Sequence, residues 1–147
     1  MQNFMNIAKY LCVLAVTLFI CSCSNDDNRY RNPNLPDYNF AVDIDMNLPQ
    51  YSQLLFTGNV VYVNQAGIGI NGVYVINTGG GFVAYEASCP NQPLTDCSRL
   101  QRNGAIATCP CDGAEYNLFS GEAEGQRYTL KPYRVEITGE NKIRVSN

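Results

Sequence analysis

Seven cysteines, four of them packed between positions 89 and 111, and no histidine anywhere constrain this 147-residue chain more than any other feature. The cysteines divide by position. Cys12 and Cys21 fall in or beside an apolar run, Cys23 follows at once, and Cys89, Cys97, Cys109 and Cys111 stand far downstream. An even set of four in an exported chain reads as a disulfide framework, and four cysteines allow three connectivities. Joining Cys109 to Cys111 would strain a small ring across Pro110. Two arrangements that tie the first pair to the second remain.

Export is read from the N-terminus. "MQNFMNIAKY" carries one basic residue, Lys9, and no acid; "LCVLAVTLFI" adds an apolar run of 10 residues. That run is too short to span a bilayer and has the length of a signal-peptide core. A buried N-terminal helix fits less well, because a polar stretch follows. "ICSC" resembles a bacterial lipobox. Ser22 is the small residue before Cys23, whereas Cys21 follows bulky Ile20 and is the runner-up. Asp26 and Asp27 resemble the export tags on surface lipoproteins of some Gram-negative bacteria, although Asn/Asp-rich tethers are common anyway. The expectation is a signal peptide over 1–22, a lipid on Cys23, and attachment in a Gram-negative cell envelope, on the periplasmic or surface face of the outer membrane.

Cleavage before Cys23 leaves 125 residues, a single domain by length. With Lys9 removed, 9 basic residues face 13 acidic ones. No basic cluster exists, which argues against a nucleic-acid partner; the membrane is reached through the lipid. Ser24 to Asn39 holds two prolines and five asparagines and reads as a polar tether of 16 residues. As a flexible coil it would reach roughly 20–25 Å.

From Phe40 to Asn147 the pattern is β. "AVDIDMNL" alternates Val42, Ile44, Met46 and Leu48 against polar neighbours, the period of a half-buried strand. "LLFTGNVVYV", "GVYVINTG" and "GFVAYEAS" are rich in β-branched and aromatic residues between Gly and Asn punctuation. Val135 and Ile137, then "TGEN", then Ile143 and Val145 read as a closing hairpin. No window of helical length has a 3.6-residue period, so the expectation is all-β, with many short strands.

"SCPNQPLTDC" and "TCPCDGAEYNLFSGEAEG" resemble the two cluster loops of Rieske iron–sulfur domains, and the likeness extends over roughly Phe40 to the C-terminus. It implies a stack of antiparallel sheets with a two-loop tip. Carried over by position, Cys89 and Cys109 are the cluster cysteines, and Cys97 and Cys111 are the pair that forms an inter-loop disulfide in many members. The two ligand histidines fall at Asn91 and Asp112. The first loop is also longer than usual, and the family's Gly-Pro is replaced by Gly125-Gln126. A Rieske cluster needs two thiolates and two imidazoles. An asparagine amide is a poor ferric ligand, and one carboxylate does not replace two imidazoles. The resemblance therefore implies a degenerate member in which Cys97–Cys111 is kept and Cys89–Cys109 closes where the iron would sit. No cofactor is expected. The alternative is a [2Fe-2S] electron-transfer protein ligated by Cys89, Cys109, Asp112 and one further group.

Other readings are weaker. A four-cysteine zinc or mononuclear iron site has the right ligand count, but one residue between Cys109 and Cys111 is tighter than usual zinc spacing. Thiol exchange at "CPC" needs a low-pKa thiol, and no Lys or His lies nearby to supply one. Asp43 and Asp45 share a strand's solvent face, as do Glu122 and Glu124 by the same logic, and read as solvation rather than catalytic pairs. "NTGGGF", Asn77 to Phe82, reads as a hairpin turn rather than a phosphate cradle, since no helix follows. Tyr62, Tyr74 and Tyr85 fit strand faces as well as a sugar- or peptide-binding surface. The function expected is non-enzymatic: a membrane-anchored lipoprotein whose domain binds an unidentified protein partner or serves a structural role.

Overall fold

A computed structural model describes residues 31–147. The expected signal peptide, Cys21, Cys23 and the first part of the expected tether lie outside the described residues. The rest is all-β. Nine strands run β1 (Ala41–Asp45), β2 (Val60–Val63), β3 (Val73–Asn77), β4 (Phe82–Glu86), β5 (Gln101–Asn103), β6 (Ile106–Thr108), β7 (Glu115–Asn117), β8 (Pro132–Gly139) and β9 (Lys142–Ser146). They form a six-stranded sheet, β1-β9-β8-β4-β3-β2, and a three-stranded one, β5-β6-β7, with every pairing antiparallel.

Strand β8 joins the two halves of the large sheet. Its start pairs with β4, Ala84 opposite Tyr133, and the rest pairs with β9 up to a bulge between Ile137 and Gly139. The sheet therefore folds over on itself, and β3 is covered on both faces. Val73 and Val75 point into a core shared with Ile44, Leu54, Ile143 and Val145. Tyr74 and Ile76 point the other way, into a second core with Leu100, Tyr116, Leu118 and Leu130. That two-sided burial explains why "VYVI" is a continuous apolar run rather than an alternating one. The second core also takes in Cys89 and Cys109, so the disulfide region is continuous with the packed interior.

The hairpin read from "TGEN" forms, with Asn141 in the left-handed region at φ 57°. "NTGGGF" turns between β3 and β4, closed by Thr78 N donating to Gly81 O at 2.8 Å. Tyr62, Tyr74 and Tyr85 line up across β2, β3 and β4. Tyr74 and Tyr85 are buried and Tyr62 half-buried, so the row faces packed protein rather than open water.

Three expectations from local pattern fail. Leu48 does not continue β1 and stands exposed. The Asp45 carboxylate accepts from Asn47 N at 3.0 Å and turns the chain before the alternation is finished. Leu54 and Leu55 are not strand; Ser52–Leu55 is a 3-10 turn that buries Leu54 and leaves Leu55 and Phe56 outside. The described end of the tether packs. Leu35 is 4% exposed, Asn32 Nδ2 donates to Pro90 O at 2.7 Å, and the buried Lys131 ammonium reaches Asp37 and Pro36 O. A segment poor in apolar side chains is held there by polar groups that find specific backbone partners.

A buried carboxylate fixes the loop beside this seam. Glu86 is fully enclosed and accepts from Ile70 N (2.7 Å), Asn71 N (2.9 Å), the Ser88 hydroxyl (2.7 Å) and the Tyr133 hydroxyl (2.6 Å). Four donors satisfy it, as an enclosed carboxylate requires.

Candidate functional site

The tip is built from the loop after β4 and the loop between β6 and β7. The first leaves the sheet through Leu100 N donating to Ala87 O and Cys89 N donating to Ser98 O, a β-like neck that holds Cys89 inside. The second is a tight turn. Cys109 O accepts from Gly113 N at 2.8 Å, and Cys109 N donates to Ala114 O at 2.8 Å. Gly113 sits at φ 77°, where a side chain is strained.

Both bridges cross between the loops. Cys89 bonds Cys109 and Cys97 bonds Cys111, with Cα–Cα distances of 5.6 and 5.3 Å. This is the pairing implied by the resemblance. Cys89 and Cys109 are buried, Cys111 is half-buried and Cys97 is exposed. One bridge belongs to the core and the other to the surface.

Asn91 and Asp112, which the resemblance sets at the histidine positions, are engaged in other contacts. Asn91 Nδ2 donates to Tyr128 O and to the Tyr116 hydroxyl, each at 2.8 Å, and Asn91 Oδ1 accepts from Tyr128 N at 2.9 Å. The amide thus ties the first loop to the segment after Gly125. Burial raises the Tyr116 phenol, the Asn91 hydrogen bond opposes that shift, and the Asp112 charge adds to it. Asp112 is exposed, and its Oδ1 accepts from Ala114 N at 2.9 Å to close its own turn. The residues present do not make a Rieske ligand set. No imidazole exists, the Asn91 amide has both ends engaged, and the two cluster-position sulfurs are bonded to each other.

Sequence reasoning missed the groups that surround the sulfurs. Gln92 Nε2 donates to Cys109 Sγ at 3.0 Å, and the Thr95 hydroxyl lies 3.1 Å from Cys97 Sγ and 3.6 Å from Cys111 Sγ. Bridge sulfurs carry no hydrogen, so Thr95 is the donor. Only the extra length of the first loop hints at them in the sequence.

The acidic pairs fall elsewhere. Asp43 meets Arg144 and Asp45 meets Lys142 on the outer face of β1 and β9. Glu122 and Glu124 do not share a strand; with Glu115, Asn117, Gln126 and Tyr128 they line an open polar depression.

No protein-family model matches the chain, and no curated protein matches it. Solved structures do resemble it. A chain from the complex of reduced oxygenase and oxidized ferredoxin in carbazole 1,9a-dioxygenase aligns at 19% identity with TM-score 0.43, covering 76% of this chain and 94% of that one. The ferredoxin of carbazole 1,9a-dioxygenase from Nocardioides aromaticivorans IC177 aligns at 18% identity and TM-score 0.42, over 74% and 97%. A quaternary ammonium Rieske monooxygenase aligns at 14% identity and TM-score 0.47, over 77% of this chain and 34% of that one.

Proposed function

We propose that this chain is a lipid-anchored envelope protein whose Rieske-like domain serves as a binding or structural module without an iron–sulfur cluster and without enzymatic activity of its own. The observation that carries the reading is the use made of Asn91: both ends of its amide fasten the tip from within, at the position where the family places a ligand. The anchor rests on "ICSC", with Cys23 as the modified residue, and the partner is an unidentified protein.

Metal, sulfide and thiol analysis of the full-length chain purified anaerobically tests the first half. The expected result is a colourless protein with no stoichiometric iron or acid-labile sulfide and no free thiol among Cys89, Cys97, Cys109 and Cys111. Stoichiometric iron and sulfide with visible absorption would establish the electron-transfer alternative instead. Labelling with a fatty-acid analogue tests the anchor. Cys23→Ser is expected to abolish it and Cys21→Ser to leave it; the reverse would move the lipid to Cys21.

A further inference from the structure

The sulfurs of Cys89, Cys109 and Cys111 all lie within 4.8 Å of one another, although they belong to two different bridges. The fourth sulfur, Cys97, is bonded to Cys111. A tetrahedral cation with metal–sulfur bonds of about 2.3 Å needs sulfurs roughly 3.8 Å apart. Opening the bridges would let each bonded pair spread toward that spacing while the sulfurs of Cys89, Cys109 and Cys111 close in from as far as 4.8 Å; Cys97, outside that group of three, would follow its partner Cys111.

A second, independent feature points the same way. Two side-chain donors face the sulfurs: Gln92 donates to Cys109 at 3.0 Å, and the single Thr95 hydroxyl hydrogen lies between Cys97 at 3.1 Å and Cys111 at 3.6 Å. A hydrogen bond to a neutral bridge sulfur is weak; to a thiolate it is charge-assisted and stronger. Such donors are the surroundings that hold and orient metal thiolates. Cys89 and Cys109 supply a dry floor inside the second core, and the exposed Cys97 side supplies the entrance.

We infer that the reduced tip is a binding site for one soft cation, of which Zn2+ is the type, held by the thiolates of Cys89, Cys97, Cys109 and Cys111, and that the two disulfides are its closed state. All-thiolate donation selects soft, thiophilic metals over Mg2+ or Ca2+. Opening consumes two equivalents of a dithiol reductant. Each gives two electrons and two protons to one bridge and is itself oxidised to a cyclic disulfide. Binding then displaces four protons from the four thiols. Asn91 and Asp112 take no part, which separates this mononuclear site from a two-iron cluster.

The full-length chain carrying Cys12→Ser, Cys21→Ser and Cys23→Ser, so that the tip holds its only cysteines, is reduced with a phosphine, freed of it anaerobically and titrated with Co2+. The expected result is one Co2+ per chain, with a thiolate-to-cobalt charge-transfer band and the visible absorption of tetrahedral Co2+, both lost on adding Zn2+. The oxidised chain is expected to show neither band. Thr95→Val keeps every cysteine and is expected to bind about 10–100-fold more weakly. Absence of the charge-transfer band in the reduced chain would overturn the inference. So would unchanged affinity in Thr95→Val, since the metal would then be held by loosened thiols rather than by the folded cradle.

Discussion

The side chain of Asn91 pairs with the main chain of Tyr128 as a neighbouring strand would, donating through Nδ2 at 2.8 Å and accepting through Oδ1 at 2.9 Å. With the further bond to Tyr116, one half-buried amide joins the first tip loop to the segment that leads into β8.

Asn91→Ala removes these three bonds and leaves Tyr128 N and O without the amide. Each net bond is worth about 1 kcal/mol, with more lost where a partner stays unsatisfied, so a loss of about 2–4 kcal/mol is expected. Urea unfolding measures it through the shift in midpoint at constant slope. A change below about 0.5 kcal/mol, the range of an ordinary surface substitution, would show that the pairing carries no stability.

Reducing both bridges is expected to loosen the tip before the sheets. The bridges span separations of 20 and 14 residues, and each contributes about 3 kcal/mol in the chain-entropy model. Amide exchange over residues 89–112 should therefore accelerate while β3 and β4, buried on both sides, stay protected. Simultaneous loss of protection in tip and sheets would mean that the bridges hold the whole domain rather than its end.

A chain starting at Phe40 is expected to be less stable than one starting at Arg31, by about 1–3 kcal/mol. Its Lys131 ammonium, 2% exposed, would lose Asp37 and Pro36 O. Removing one partner of a buried ion costs about 3–5 kcal/mol, and the exposure of Asp37 discounts that here. Thermal melting of the two chains compares them, and equal midpoints would make residues 31–39 a dispensable tether after all.

Alkali should unfold the protein cooperatively. Burial raises the phenols of Tyr74, Tyr85, Tyr116 and Tyr133 above their ordinary value of 10.0, and for Tyr133 the Glu86 charge and hydrogen bond add to it. A raised folded value means that the unfolded chain gives up its protons first. The contribution is therefore whole below about pH 10 and is lost as pH rises above it. Tyrosinate absorbance and loss of β-sheet signal are expected to rise together; Tyr133→Phe, which also takes a donor from the enclosed Glu86, should lower stability at neutral pH and make its fall with rising pH shallower. Ionisation of all ten tyrosines near the ordinary value with the sheet intact would contradict this. At the acid end, the Arg144 hydrogen bond lowers Asp43 and the Asn47 backbone lowers Asp45. Their stabilisation holds above the ordinary carboxylate value and fades as pH falls through the lowered one. Both are exposed, so salt should weaken it.

Much of the architecture was legible in local pattern. Val42 and Ile44, the run from Val73 to Ile76, and the hairpin around Asn141 announce themselves because a strand's period and a turn's dihedral demands are satisfied by residues next to one another in sequence. The loops that carry the cysteines were legible for the same reason, since Cys-Pro-Cys-Asp-Gly is a contiguous motif. The tertiary structure alone decided what the polar residues do. Asn91 is held by a partner 37 residues away, Glu86 by donors 16 and 47 residues away, and Lys131 by Asp37, 94 residues distant. No periodicity encodes such pairings. An amide or carboxylate looks the same in a tether, a ligand set or a buried clasp until the chain has folded and brought one particular donor or acceptor to it. Leu48, Leu55 and Phe56 make the complementary point: apolar residues ended outside because a turn set by Asp45 and the 3-10 segment intervened before the sheet could use them.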